Sequence, residues 1–351
     1  MNIAIQYILA ILAFSIIIVV HEFGHFIFAK INGIFVEEFF IGMGPKILKF
    51  KTKSGTQWGL AAIPLGGYNK IIGMDRDEEV PLDKKDKVFY SKPFWVKFLV
   101  LNGGAFFNIL FALILIIVFF NMGVFVPTNQ VDYIENGSPA QIYGIQKGDK
   151  IVSINNIQIN TWDDFSENVK KFPDKEVTFK IIRDGKEINI QVVLDNKDGL
   201  GYLGVSPTVE KQKMGFKETL IESFRFLQDF IVSYFKLLGM LFTGGLSLEE
   251  ARPVSPIGVV AIMQQSASMG LQFFVMMIAL ISLLLGFTNV IPLLPLDGGH
   301  IIVAIGEAII KRPLSKKAIQ IYNSIGIVIF IALFLIGFMF DIFKPIDITN
   351  M

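Results

Sequence analysis

His21-Glu22-Phe23-Gly24-His25 is the run in this chain whose side chains could do chemistry together. The two histidines are four residues apart, so on a helix they share one face and can reach a single ion. Glu22 stands about 100° round the helix, beside the open position of such an ion. Two neutral imidazoles on a metal, a water acidified by that metal and a carboxylate that takes the water's proton form the zinc-hydrolase arrangement, with Glu22 as general base. Gly24 lets a second backbone approach closely. The bland alternative is a pair of buried histidines with a stray glutamate. It leaves an ionisable group deep in an apolar segment without a role, which costs several kcal/mol.

A catalytic zinc takes three protein ligands and keeps one position open. The chain has no cysteine and only three histidines, so disulfides and thiolate chemistry are excluded and the third ligand is a carboxylate or the remaining histidine. Asp297 is the first candidate. It lies in Asn289-Val290-Ile291-Pro292-Leu293-Leu294-Pro295-Leu296-Asp297-Gly298-Gly299-His300, where two prolines break a helix and two glycines permit irregular backbone. His300 is a rival ligand at similar depth, and capping a helix is an alternative role for Asp297.

The elements that must carry these residues are set by solvent. The 351 residues are 52% hydrophobic and 18% charged, and mean hydropathy is +0.55. Soluble domains carry about a quarter charged residues, so this reads as a membrane protein. A net charge of +1 argues against nucleic acid as a partner. Four stretches are long and apolar enough to cross a bilayer core of about 30 Å. They run from the N-terminus to Ala29, within 98–126, within 253–296 (centred on about 271–290), and over 318–340. No Lys or Arg precedes Lys30, which argues against a cleaved signal peptide.

Residues 30–97 carry 12 Lys/Arg against 8 Asp/Glu, and Lys311, Arg312, Lys316 and Lys317 follow the third span. By the positive-inside rule both segments are cytoplasmic. Residues 127–252, with 15 Lys/Arg against 18 Asp/Glu, then lie outside, as do both termini. Lys30 marks the cytoplasmic edge, so His25 lies about 7–8 Å inside it along the helix, and Asp297 reaches the same depth from the other direction.

The domain reading follows. Residues 1–126 hold the first two spans, the metal motif and an intervening stretch, 36–68, rich in glycine and aromatic residues that suggests short strands dipping toward the membrane. Residues 127–207 form a soluble α+β module with an Asp184-Gly185 hairpin turn. Within 208–270, residues 214–242 form a one-sided helix suited to the membrane interface. Residues 271–351 hold the last two spans and the third ligand.

The two motifs, their order and their depth resemble the site-2 protease family of intramembrane zinc metalloproteases, in particular the bacterial regulator-of-sigma-E (RseP) type. Asn289, Pro292, Leu296, Asp297 and Gly298 match that family's Asn-x-x-Pro…Leu-Asp-Gly pattern. The second proline, at 295, stands one place later than usual. Pro64–Tyr68 resembles the family's Gly-Gly-Tyr membrane-associated β-loop. Gly104–Asn108 resembles its Gly-Pro-x-x-Asn, with Ala105 in place of proline, and 127–207 looks like one PDZ domain.

The resemblance implies an α-helical polytopic membrane protein of four transmembrane helices, a membrane-associated β-loop and one inserted PDZ-like domain. It implies Zn2+ held by His21, His25 and Asp297, and hydrolysis of peptide bonds in transmembrane segments of single-span substrates. Regulated intramembrane proteolysis of that kind acts on membrane-bound anti-sigma factors or signal-peptide remnants. Asn289 would hold substrate backbone or oxyanion, and Gly66 and Gly67 would offer a strand edge to the unwound substrate. The implied location is the bacterial cytoplasmic membrane, with the PDZ-like module extracytoplasmic. Two other classes compete. A zinc transporter wants further carboxylates or histidines along the other spans. A non-catalytic scaffold leaves Glu22 unexplained.

Overall fold

The structure, a computed structural model, describes residues 2–74, 78–247, 250 and 252–348. Residues 1–120 with 216–351 form one compact unit and 121–215 a second.

The first helix, α1 (Ile3–Ile31), starts where the Asn2 side chain accepts from the Ala4 N–H at 3.0 Å. Before Lys30 its one Asp, Glu, Lys or Arg is Glu22. It stops where Gly33 adopts φ +68° and Ile34 N–H turns back to the Ala29 carbonyl at 2.9 Å. At 1.5 Å per residue its 29 residues run about 44 Å, longer than the bilayer core.

Strands β1 (Val36–Lys51) and β2 (Gln57–Ile71) form one curled antiparallel hairpin. Phe40 faces both Tyr68 and Gly59, and Ile41 faces both Gly67 and Leu60, while Lys49 and Phe50 pair with Gly59 and Trp58. The lateral order is therefore 46–51, 57–61, 36–41 and 67–71, which leaves 67–71 as an outer strand. The chain can fold over itself this way because Gly42, Gly44 and Gly66 hold positive φ at the bends. The Ser15 hydroxyl donates to the Pro64 carbonyl and ties the hairpin to α1.

Helix α2 (Phe94–Asn121) leads into the second unit. That unit contains β3 (Val124–Ile134), α3 (Pro139–Ile142), β4 (Lys150–Ile154), β5 (Ile157–Gln158), α4 (Trp162–Lys170), β6 (Glu176–Arg183) and β7 (Lys186–Val193). It ends with β8 (Asp195–Lys197), β9 (Leu200–Tyr202) and β10 (Val205–Gln212). The main sheet runs β10-β3-β4-β6-β7, with β5 on β4. Its core includes Ile151, Ile154, Phe179, Ile181 and Val192 beneath Phe165 of α4, and Thr161 with Asp164 forms a capping box at the start of that helix. Asp149, fully buried, accepts from Arg183 Nε and Nη2, both at 2.7 Å. The unit begins six residues before the expected module and ends eight after it, because β3 and β10 pair as far as Val124 and Gln212.

The chain returns to the first unit as α5 (Phe216–Thr243), whose Phe226, Leu227 and Phe230 pack on Ala112, Ile116 and Leu283, leaving Phe224 exposed. Contact with α2 and α7 thus fixes which side of α5 turns inward. Next come α6 (Pro256–Met269), α7 (Leu271–Asn289), α8 (Asp297–Ile310) and α9 (Lys316–Phe343). Among the described residues four helices, α1, α2, α7 and α9, are long and apolar enough to cross a membrane.

Helix α6 is an element that the uncharged tract 253–296 conceals. Its 14 residues span about 21 Å, too short to cross. It packs Met263 and Ala267 against Ala10, Ala13 and Ile17 of α1, where small side chains allow close approach.

Candidate active site

Three side chains from two distant parts of the sequence converge inside the first unit. His21 Nε2 lies 3.0 Å from Asp297 Oδ2, His25 Nε2 lies 3.2 Å from the same oxygen, and the two nitrogens are 3.1 Å apart. The histidines are buried and stand one turn apart on α1. Asp297 is the first residue of α8, so its carboxylate sits at the positive end of that helix. Leu296 occupies the N-cap position, so Asp297 does not cap the helix.

Helix α2 is the floor on which the imidazoles rest. Gly24 and Gly103 bring α1 and α2 into backbone contact: a Cβ on Gly103 would stand 2.7 Å from the Gly24 carbonyl oxygen. The next residue, Gly104, lies directly under the rings. A Cβ there would stand 2.5 Å from both His21 Cε1 and His25 Nε2. The same helix turns the rings. The Val100 carbonyl, 2.7 Å from His25 Nδ1, accepts its proton and leaves the Nε2 lone pair facing the cluster. The Asn108 side-chain amide lies 3.4 Å from His21 Nδ1, and its buried Oδ1 has no partner among the described residues. A half-turn of the amide makes that oxygen the acceptor for His21 Nδ1–H, the arrangement Val100 gives His25.

The donor set fits zinc. Two imidazole lone pairs and a carboxylate oxygen aimed at one another are three acceptors without a proton to share, which a cation resolves. On tetrahedral zinc with bonds of about 2.0–2.1 Å, ligand atoms stand about 3.3 Å apart. The observed edges of 3.0–3.2 Å are close to that, so His21, His25 and Asp297 would hold the ion.

Glu22 projects beside the trio and is not among the clustered ligand atoms. Its carboxylate Oε2 accepts from Asn69 Nδ2 at 2.6 Å, and the same nitrogen lies 3.1 Å from the Glu22 carbonyl. Asn69 belongs to the outer strand of the hairpin. Gly66 and Gly67, just before it, lie on α1: Cβ atoms built there would reach Ile18 at 3.3 Å and Val19 at 3.4 Å. Asn289 is the last residue of α7, and its amide donates to Leu285 of its own helix at 3.0 Å. His300, one turn beyond Asp297, is exposed and stands apart from the ligand cluster.

The segment before α8 is held in place from α9. Tyr322 donates to the Pro292 carbonyl at 2.7 Å, and Gly326 gives room to the Leu294 carbonyl. Leu294-Pro295 is a cis peptide.

Geometry of this kind, two histidines and a glutamate on one helix with an aspartate from a later one, defines a metallopeptidase centre, and the sequence comparison agrees. The chain belongs to peptidase family M50, whose family model matches residues 9–333. It is a zinc metalloprotease of that family and a multi-pass membrane protein. Relatives that carry the name "Putative zinc metalloprotease" align over nearly their whole length. One from Clostridium acetobutylicum is 32% identical over 97% of this chain and 98% of its own. One from Clostridium perfringens is 33% identical over 97% and 99%, and one from Campylobacter jejuni 32% identical over 98% and 95%. Among solved structures, the PDZ domain of an SdrC-like protein from Listeria monocytogenes is similar at 17% identity, covering 24% of this chain and 92% of that one, with a TM-score of 0.22.

Proposed function

We propose that this zinc metalloprotease hydrolyses peptide bonds within transmembrane segments of single-span membrane proteins, with His21, His25 and Asp297 as the metal ligands and Glu22 as general base. The observation that carries the reading is that two of the three ligands are built into α1, a membrane-length helix, with His25 about 9 Å from its C-terminal end and Asp297 of α8 brought against them. Bound there, zinc supplies a Lewis acid that polarises the scissile carbonyl and acidifies water.

Glu22 does the proton work. With Oε2 occupied by Asn69, the free oxygen Oε1 receives the proton of the attacking water. It then returns that proton to the leaving amide nitrogen as the C–N bond breaks. A substrate helix hides its own amides, so it must unwind to be cut. The outer strand at residues 67–71 lies against α1 beside Glu22 and offers unpaired main-chain groups to such a strand. Asn289, at the end of α7, would hold the substrate main chain once its amide leaves Leu285.

The charge distribution supports a cytoplasmic-membrane location, with the second unit outside, where a PDZ-like module could exclude substrates with bulky external domains. Regulated intramembrane proteolysis, of an anti-sigma factor or of signal-peptide remnants, fits that arrangement. The test is cleavage of a purified single-span substrate by the wild type and by Glu22→Gln. The variant should bind zinc and fail to cut; turnover at the wild-type rate would sink the assignment.

A further inference from the structure

Glu22 works on a helix that gives its long side chain several rotamers, and a general base is effective only when its oxygen is aimed at the proton it takes. What aims it comes from another element. In the outer strand, residues alternate between two sides. Tyr68 and Lys70 point away from α1: Tyr68 donates to Glu38 at 2.8 Å, and Lys70 pairs with Glu37 at 2.7 Å and Glu78 at 3.0 Å. Gly67 and Asn69 point toward α1. The missing side chain of Gly67 lets the strand close on Val19, and one helical turn further along α1 the Asn69 amide meets Glu22.

We propose that Asn69 is a positioning residue for the reaction, which fixes the Glu22 carboxylate by donating from Nδ2 to Oε2 while anchoring on the Glu22 carbonyl. The proposal rests on the role assigned to Glu22. Its two contacts, at 2.6 and 3.1 Å, use both protons of one amide nitrogen and settle which end of the amide faces α1, since the reversed amide would set an oxygen against two acceptors. The carboxylate is thereby held by one oxygen only, and Oε1 stays free for the water.

Packing alone does not account for asparagine here. Its Oδ1 is buried without a hydrogen-bond partner among the described residues, a state that costs stability and that a valine or leucine closing the strand on α1 would avoid. The hairpin also has other ties to α1, including the Ser15–Pro64 hydrogen bond and the close approach of Gly66 and Gly67 to Ile18 and Val19. Removing the amide should therefore leave the hairpin in place.

The experiment uses the full-length, zinc-loaded protein in detergent with a single-span substrate. Asn69→Leu keeps the size and loses the donor; Asn69→Asp keeps the shape and replaces the donor with an acceptor; Asn69→Gln keeps a donor on a longer stem. Losing a hydrogen bond to a charged group should lower kcat about 10–100-fold. KM and zinc per protein should stay within about twofold. Asn69→Asp should fall at least as far as Asn69→Leu, and Asn69→Gln should recover several-fold over it. The inference is overturned if Asn69→Leu retains wild-type kcat, if the loss lies in KM or in zinc content, or if Asn69→Gln is no better than Asn69→Leu. Glu22→Gln, run alongside, separates the two levels. An active Glu22→Gln removes the underlying reading, whereas an inactive Glu22→Gln beside a fully active Asn69→Leu removes only this inference.

Discussion

Gly104→Ala is a one-methyl change that should disable the metal centre without touching a ligand. The new Cβ would stand 2.5 Å from His21 Cε1 and from His25 Nε2, and 2.6 Å from His21 Nε2, where ordinary contact begins at 3.4 Å. The rings or the helix must therefore give by about 1 Å, against a tolerance of about 0.2 Å for metal–ligand distances. Retreat of α2 from α1 would open the main-chain contact that Gly24 and Gly103 make between the two helices. Overpacking of this kind costs about 1–3 kcal/mol, partly offset by the better helix propensity of alanine, about 1 kcal/mol. The larger effect is on function, since misplacement of about 1 Å at a catalytic group costs about 100-fold. The assay is zinc per protein after dialysis at fixed free zinc, with substrate cleavage measured on the same samples. Gly239→Ala on α5, where an added methyl meets nothing within 4 Å, is the control and should keep both. Full zinc retention with wild-type turnover in Gly104→Ala would mean that the imidazoles do not rest on this backbone, and the site geometry argued here would be wrong.

Asp297→Asn should lower zinc occupancy and cleavage together, while exposed His300→Ala should leave occupancy near wild type; the reverse order in metal analysis would move the third ligand to His300. Asp149→Ala removes the buried acceptor of Arg183 in the second unit and should destabilise that unit by about 1.5–3 kcal/mol, seen as faster proteolysis of 121–215 in the intact chain; unchanged cleavage resistance would refute it. In this cysteine-free chain, a cysteine at exposed Asn156 should react with an impermeant thiol reagent added to intact cells and one at exposed Lys53 should not. The opposite pattern would invert the proposed topology.

What could be read from the sequence was whatever is local or fixed by solvent. His21 and His25 declare themselves because four residues are one helical turn, and the long helices do because charges are absent from them. Among the few possible ligands the sequence puts Asp297 first and leaves His300 open beside it, and the full set comes from the family resemblance. The parts of the site that α2 and the hairpin supply were not legible. Val100, Asn108 and Asn69 meet the motif across 75, 87 and 47 residues, and nothing in a neutral carbonyl or amide marks it as a partner of a distant histidine or glutamate. Gly24 suggested a close neighbour without naming Gly103. Helix α6 was hidden because hydropathy registers apolar length, and a short buried helix followed by a spanning one gives the same continuous tract as one long span. Which side of α5 turns inward depends on where Ala112 and Ile116 leave room, and residue spacing within α5 does not hold that information.

The distance along the chain between the first and last ligand has a consequence in time. His21 and Asp297 are 276 residues apart. At about 5–20 residues per second of synthesis, about 14–55 s pass between the appearance of the two histidines and that of the carboxylate that completes the set. Throughout that interval the nascent chain would carry two of the three proposed ligands with Glu22 beside them, but no third anchor. On this reading activation waits for residue 297, and a ribosome that stalls before it leaves a fragment without a complete metal site.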